Sequence, residues 1–166
     1  MYFRHYQGTS ATIGRYIRYK CFYSKLLVVD PDNSVFYNFF QTADNQLTSK
    51  GSKIEGIGRP RVEPSFMPAV IDEMLQVPDK ASIVTMLWLE TVLGRKVGPS
   101  TGTNVWGVLQ KAKLMKSVGK SGSIVTLLCD SGERYLDTFY NTQWIESNFG
   151  EIADYEEQLK KLVEAT

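Results

Sequence analysis

A chain of 166 residues, 43% of them hydrophobic, can bury one sizeable core and is short for two ordinary domains. Nineteen basic against eighteen acidic residues leave a formal charge of +1, so no global field recruits nucleic acid or an acidic membrane. The two cysteines, Cys21 and Cys129, and the single histidine cannot complete a four-ligand zinc site, so no metal centre is expected and both thiols read as buried and free.

No apolar stretch reaches the roughly 18 residues that span a bilayer. The start, Met-Tyr-Phe-Arg-His-Tyr, carries neither a signal h-region nor an Arg/Ser-rich transit pattern, and a reducing, cytoplasmic setting is the expectation.

Along the chain, Thr9 or Ser10 reads as an N-cap for a helix that carries Ile13, Tyr16 and Ile17 on one side and ends near Lys20. Leu26 to Val29 reads as a buried strand closed by the turn residues Asp30-Pro31-Asp32-Asn33. From Asn33 to Pro78, glycines and prolines break every period, and the stretch reads as one long irregular segment of the kind that usually carries function.

Asp79 is expected to cap a buried helix whose apolar residues, Ile83 to Leu93 with Trp88 among them, cover nearly the whole circumference. A loop from Gly94 to Gly102 should lead into a helix striped by Val105, Val108, Leu109, Ala112 and Met115. Ser123 to Cys129 is the strongest strand signal in the chain, and Tyr135 to Tyr140 a weaker one. A last helix should align Ile152, Tyr155, Leu159, Leu162 and Val163, supported by Glu156-Lys160 and Glu157-Lys161 pairs. Helices alternating with buried strands point to an α/β layer architecture with a parallel sheet, and so thin a set of strands reads as part of something larger.

Several short motifs bear on chemistry. Gly8-Thr9-Ser10 before a helix is an arrangement that can hold a phosphate, although an ordinary cap explains it as well. Gly119-Lys120-Ser121 mimics the end of a P-loop, but Leu114 stands where that loop needs glycine. Gly98-Pro99-Ser100-Thr101-Gly102 matches a nucleophile elbow, yet helical residues precede it and the lone histidine, His5, lies on the wrong side for the hydrolase order. Gly56 and Gly58 form a hinge that lets backbone approach a ligand, and Asp130-Ser131-Gly132 follows the best strand as a turn.

Taken together and in order, these motifs are more specific than any one of them. Gly8-Thr9-Ser10-Ala11-Thr12-Ile13-Gly14, Lys53-Ile54-Glu55-Gly56-Ile57-Gly58, the Gly98–Gly102 turn and Asp130-Ser131-Gly132-Glu133-Arg134-Tyr135 resemble, respectively, four features of fold-type II pyridoxal-phosphate (PLP) enzymes. These are the end of the phosphate loop, the Gly-Ile-Gly loop, the small-residue loop and the Ser-Gly-Glu-Arg-Tyr segment. The likeness is to the C-terminal half of the cysteine synthase, L-cysteine desulfhydrase and cystathionine β-synthase family. It covers about Gly8 to Asn148, and Gly58-Arg59-Pro60 with Asp137-Thr138-Phe139-Tyr140 looks closest to the desulfhydrase branch.

The resemblance implies a three-layer α/β parallel-sheet fold of the tryptophan synthase β-subunit type. Residues 8–150 would be the C-terminal part of the catalytic domain, 1–7 an atypical N-terminus and 151–166 a C-terminal helix. It also implies that Gly8, Thr9 and Ser10 hold the cofactor phosphate, that Ser100 faces the pyridine nitrogen, and that Gly56, Ile57 and Gly58 line the substrate side. The neutral Ser100 hydroxyl suits β-elimination or β-replacement on cysteine or an activated serine.

His5, Tyr6 and Gln7 stand where the family pattern has Gly, Thr and Gly. No lysine here lies in the family's Ser-x-Lys context, so the Schiff-base lysine and the substrate-binding asparagine loop are expected upstream of Met1. The chain alone is then expected to be inactive, its partners being a second copy or a complementary N-terminal half. The other reading is a non-catalytic module that keeps the fold and binds a partner subunit.

Overall fold

The computed structural model describes residues 5–166, with the side chains of His5, Tyr6 and Gln7 left aside; the expectation for 1–7 as an atypical N-terminus lies largely outside the described residues. The chain divides into two compact units, Met1–Gln76 and Val77–Thr166.

The first unit opens with helix α1, His5–Tyr19. Its C-terminus falls where the sequence places it, but it begins ahead of Thr9 and Ser10, which therefore do not cap it. The buried stripe is Ala11, Gly14 and Ile17, spaced by three, while Ile13 and Tyr16 face solvent. Gly14 is fixed by packing: a Cβ there would sit 2.6 Å from Val70 Cγ2, in the 3-10 turn Pro68–Val70.

Strand β1, Leu27–Pro31, forms where the apolar run ends in Asp-Pro. Its partner is β2, Glu73–Val77, in a two-stranded sheet. The Leu26 carbonyl, just ahead of β1, accepts from the N–H groups of Asp72 and Glu73 at the start of β2, so the strands run the same way. Asp72 secures this corner. Its carboxylate takes the Leu26 N–H at 2.7 Å and pairs with Arg18 at 3.0 Å and Lys25 at 3.3 Å. The Leu26 bond foremost, then the two cations, hold its pKa below the usual carboxylate value.

The stretch read as irregular is more ordered than its glycines and prolines suggest. It contains helix α2, Phe36–Thr42, as well as β2. Both form because they bury aromatic and aliphatic side chains in one cluster of Val35, Phe36, Phe66, Val70, Ile71 and Met74, with Phe36 stacked on Phe66 at 4.5 Å between centroids. Tertiary burial outweighs the local breakers.

Asp30 lies under this unit, 3% exposed, accepting the Tyr37 N–H at 2.8 Å. Burial pushes its pKa from 3.8 up to about 6, against hydrogen bonds from Ser34, Tyr37 and Phe36 that pull it down. Between those two values the folded chain holds a proton that the unfolded chain has released. Stability therefore falls as pH rises through the window, by about 3 kcal/mol in total, and the deficit stays constant above it. Asp30→Asn should remove this slope. Melting both proteins from pH 4 to pH 7 checks it: the gap in stability should shift steadily in favour of Asp30→Asn as pH rises, and a constant gap would refute it.

The second unit is a helical layer. Pro78 precedes helix α3, Asp79–Leu93, and no side chain caps it; Asp79 occupies the first turn, where its charge complements the helix dipole, rather than the cap. α3 ends at Gly94, whose φ of +65° allows its N–H to close on the Glu90 carbonyl. Ala81 to Met86, six consecutive buried residues, cover its first half all round as its composition suggests, and Leu89 is buried beyond them, while Val92 and Leu93 near its end are exposed.

Helix α4 spans Pro99–Ser117, with Gly98 as N-cap and Pro99 at its first position. The expected loop thus ends at Gly98, and Ser100, Thr101 and Gly102 are helical. The buried residues are Pro99 to Thr103, Trp106 and Gly107, while the expected stripe of Val105, Val108, Leu109, Ala112 and Met115 is half-buried. Small residues let α3 and α4 approach closely, and Thr103 Oγ1 donates to Ser82 Oγ at 2.8 Å inside the contact.

Helix α5, Thr142–Phe149, is capped by Asn141, whose side chain accepts the Trp144 N–H. Helix α6, Ala153–Glu164, buries Leu159 and Leu162 and carries the Glu157–Lys161 pair at 2.6 Å, as its spacing suggests.

Two expected strands are absent. Ser123 to Cys129 forms no ladder with any described residue, and Tyr135 closes a 3-10 turn, Gly132–Tyr135, with residues 136–140 continuing as turn. β-propensity cannot make a strand without a neighbour to close the ladder. The cysteines are free, but Cys21 is exposed and Cys129 half-buried; neither sits in a core. No described helix is long and apolar enough to cross a membrane.

Candidate functional site

The second unit brings together two motifs that lie some thirty residues apart in sequence: the turn that carries Ser100 and the Asp130–Tyr135 segment. The Gly98 N–H donates to the Asp130 carbonyl at 3.0 Å, the Gly132 N–H donates to the Lys96 carbonyl at 3.2 Å, and Val97 bridges Ser131 in antiparallel fashion. The Cys129 N–H donates to Thr101 Oγ1 at 3.0 Å. Glycine is required on both sides, since a Cβ at Gly132 would lie 2.7 Å from the Val97 nitrogen and one at Gly98 would lie 2.0 Å from Asp130 Oδ1.

Two tyrosines complete the clamp. Tyr140 Oη accepts the Val97 N–H at 3.0 Å and donates to the Val97 carbonyl at 2.9 Å. Burial foremost raises the pKa of that phenol, which keeps it a donor at neutral pH. Tyr135 Oη donates to Asp130 Oδ2 at 2.6 Å. Lys96 pairs with Glu90 and lies over the Tyr140 ring at 4.9 Å. The Glu90 contact raises the lysine pKa. Ser100, 2% exposed, thus begins a helix on a turn that every neighbour holds in place.

In the first unit, Gly56 and Gly58 take φ of +84° and +72°, the left-handed region that glycine reaches freely. A Cβ at Gly58 would lie 2.9 Å from Pro31 Cγ and 2.8 Å from Ser52 Cβ. The Arg59 N–H reaches Ser34 Oγ at 3.2 Å and the Arg59 carbonyl accepts the Val35 N–H at 3.0 Å. Gly58 is therefore docked at the carboxyl end of β1.

Gly8, Thr9 and Ser10 are placed differently from their reading as a loop ahead of a helix. They lie within α1, His5–Tyr19.

Sequence comparison decides the family. Residues 6–130 match the family model of the pyridoxal-phosphate dependent enzymes. The chain belongs to that family. It is 53% identical over 141 residues to L-cysteine desulfhydrase Cds1 of Mycobacterium tuberculosis, covering 84% of this chain and 38% of that protein. Cysteine synthase 1 of Emericella nidulans is 30% identical over 126 residues, 74% of this chain and 33% of its own length. Cystathionine beta-synthase of Dictyostelium discoideum is 30% identical over 141 residues, 85% of this chain and 27% of its own length. The chain therefore spans 27–38% of the length of these three relatives.

The residues present fit the family cofactor in part. Asp130 Oδ1 is buried without a hydrogen-bond partner against Gly98, so the turn that carries Ser100 retains an unsatisfied acceptor of the kind a bound group fills. Gly8, Thr9 and Ser10 lie within α1 and not in a loop ahead of a helix. Tyr140 is the site residue that sequence reading passed over. Its signal was the alternation near the Asp-Thr-Phe-Tyr segment, which reads as a weak strand and not as a clamp.

Proposed function

We propose that this chain is the C-terminal part of a PLP-dependent catalytic domain that performs β-elimination or β-replacement on cysteine or an activated serine, and that it is inactive without a complementary N-terminal half. The observation that carries this reading is the 53% identity to an L-cysteine desulfhydrase across 84% of the chain. Bound PLP supplies an electron sink for loss of the substrate Cα proton and its β-substituent.

The chain's own contribution is positional. Ser100 would meet the pyridine nitrogen with a neutral hydroxyl, which does not hold a proton on that nitrogen as a carboxylate would. The Asp130–Tyr135 turn and Tyr140 keep the Ser100 turn from moving. Gly56, Ile57 and Gly58 would line the substrate side.

The winding of Gly8–Ser10 into α1 favours a second reading, a non-catalytic module that keeps the fold and binds a partner subunit. Mixing the isolated chain with PLP, reducing with borohydride and mapping the labelled peptides tests the proposed inactivity. No lysine here lies in the Ser-x-Lys context, so label should spread at low level over several exposed lysines. Stoichiometric labelling of one lysine would show that this chain holds its own Schiff-base residue and overturn the reading.

A further inference from the structure

The loop Gly56–Gly58 is seated on a turn that carries a buried acid. Asp30 and Ser34, each 3% exposed, stand at the carboxyl end of β1, and a Cβ at Gly58 would lie 3.2 Å from Ser34 Cβ as well as against Pro31. Past Gly58 the loop is tied down by backbone: the Arg59 N–H donates to Ser34 Oγ at 3.2 Å, and the Arg59 carbonyl accepts the Val35 N–H at 3.0 Å. The Arg59 guanidinium turns back to the Gly58 carbonyl at 2.7 Å. Further out, the Ser49 N–H donates to the Pro60 carbonyl at 2.7 Å and its hydroxyl to the Asn33 carbonyl. Among these ties, the one through Ser34 leads on to a group that titrates close to neutrality.

A serine hydroxyl has two lone pairs and one proton. Ser34 Oγ accepts the Arg59 N–H and, at 3.4 Å, the Phe36 N–H, so its own proton is left for the Asp30 carboxylate, whose charge that bond favours. A hydroxyl that donates to an anion is a stronger acceptor on its other side, and a protonated acid removes that polarisation and brings a competing donor to the same oxygen. The Arg59 N–H is therefore held best while Asp30 is ionised. The ionisable side chains of the elements around Asp30 are Asp32 on the same turn, Tyr37 on α2, Lys53, Glu55 and Arg59 along the loop, and Glu73 on β2. Its pKa is set by burial first, and then by the uncharged donors of Ser34, Tyr37 and Phe36.

We propose that Asp30 is a positioning residue for the Gly56–Gly58 loop, acting through the Ser34 hydroxyl on Gly58 and Arg59, so that the proton on one buried carboxyl sets how firmly the loop is held. Its bearing on substrate rests on the reading of that loop as the substrate side. On that reading the loop is firm above the Asp30 midpoint and loosens below it, and substrate binding weakens on the acid side. Asp30 touches no reacting atom; it acts two bonds away, through a hydroxyl whose own bonds are fully assigned.

Amide NMR of the full chain across the acid-to-neutral range tests the relay, with the Tyr37 N–H, bonded to Asp30 Oδ2 at 2.8 Å, as the internal marker of the carboxyl. The Tyr37, Gly58 and Arg59 resonances should move along one shared midpoint at about 6 in the wild type, and in Asp30→Asn all three should lose it. In Ser34→Ala the Tyr37 response should persist while those of Gly58 and Arg59 disappear, and Ser34→Thr, which keeps a hydroxyl, should restore them. A merely structural Ser34 would lose stability in the alanine variant without separating the two responses. The proposal is overturned if Arg59 stays still while Tyr37 titrates, if Ser34→Ala leaves the Arg59 response in place, or if Tyr37 shows no midpoint near that value. Should Ser34→Ala fail to fold, the wild type and Asp30→Asn still decide between the first and last of these outcomes. Neither cofactor nor turnover enters the measurement, so a relay that titrates in a protein that performs no elimination would sink the proposed activity and leave Asp30 in its role.

Discussion

Replacing Gly102 by alanine should destabilise the second unit by about 3 kcal/mol or more, although alanine is the better helix former by about 1 kcal/mol. The cause is the α3–α4 crossing. A Cβ at residue 102 would sit 2.0 Å from the Ser82 carbonyl oxygen and 3.0 Å from the Met86 nitrogen, and both are backbone atoms inside a buried helix. No rotamer change relieves such a contact; the helices must separate, and the Thr103–Ser82 bond goes with them. All three tryptophans, Trp88, Trp106 and Trp144, lie in Val77–Thr166, so denaturation followed by tryptophan fluorescence reads this unit directly. Gly8→Ala, on α1 with nothing within 4 Å of the new Cβ, should instead stabilise its helix. A Gly102→Ala midpoint at or above wild type would mean that α3 and α4 are further apart than described.

Phe139→Ala should cost the same unit about 3–5 kcal/mol and loosen the candidate site with it. Phe139 is 1% exposed and contacts Tyr135, Trp144 and Phe149, with centroid distances of 5.7, 4.9 and 6.1 Å. It stands between the two tyrosines of the clamp in sequence, so the cavity left by its loss is shared by the residues that hold Val97 and Asp130. Amide exchange at Val97, Gly98 and Gly132 should accelerate beyond what the global loss of stability explains. Tyr140→Phe, which removes the bonds to Val97 and keeps the ring, should reproduce the local effect at a much smaller global cost. Exchange at those amides that tracks global stability alone would show that the aromatic cluster does not support the turn.

What the sequence reveals depends on how local each feature is. The C-terminal ends of α1 and α3, the whole of α6 and strand β1 are legible because periodicity, a glycine stop or an Asp-Pro turn marks them within a few residues. α2 and β2 are hidden by the glycines and prolines around them; their order comes from Phe36 meeting Phe66 and Met74 meeting the same cluster, pairings that no local window contains. Ser123–Cys129 is misread for the opposite reason. Its propensity is strong, but a strand is a property of a pair, and the described residues supply no second member.

The site divides in the same way. The Ser100 turn and the Asp130–Tyr135 segment are recognisable as motifs, and the glycines at 98 and 132 as backbone requirements, yet nothing in the sequence says that they close on each other. Tyr140 joins them through a hydroxyl forty-three residues from its partner. Gly8-Thr9-Ser10 is recognisable as a motif as well, but the structure places it inside α1 and not ahead of a helix.

The central claim, that this chain is a catalytic-domain part completed by a second polypeptide, meets its most direct test in an assay for sulfide release from cysteine with PLP present. Three samples suffice: the chain alone, the uncovered part of the mycobacterial desulfhydrase alone, and the two co-expressed. Sulfide release by the co-expressed pair, with neither part active by itself, is the predicted result. Sulfide release by this chain alone, or an assembled pair that stays silent, would contradict it.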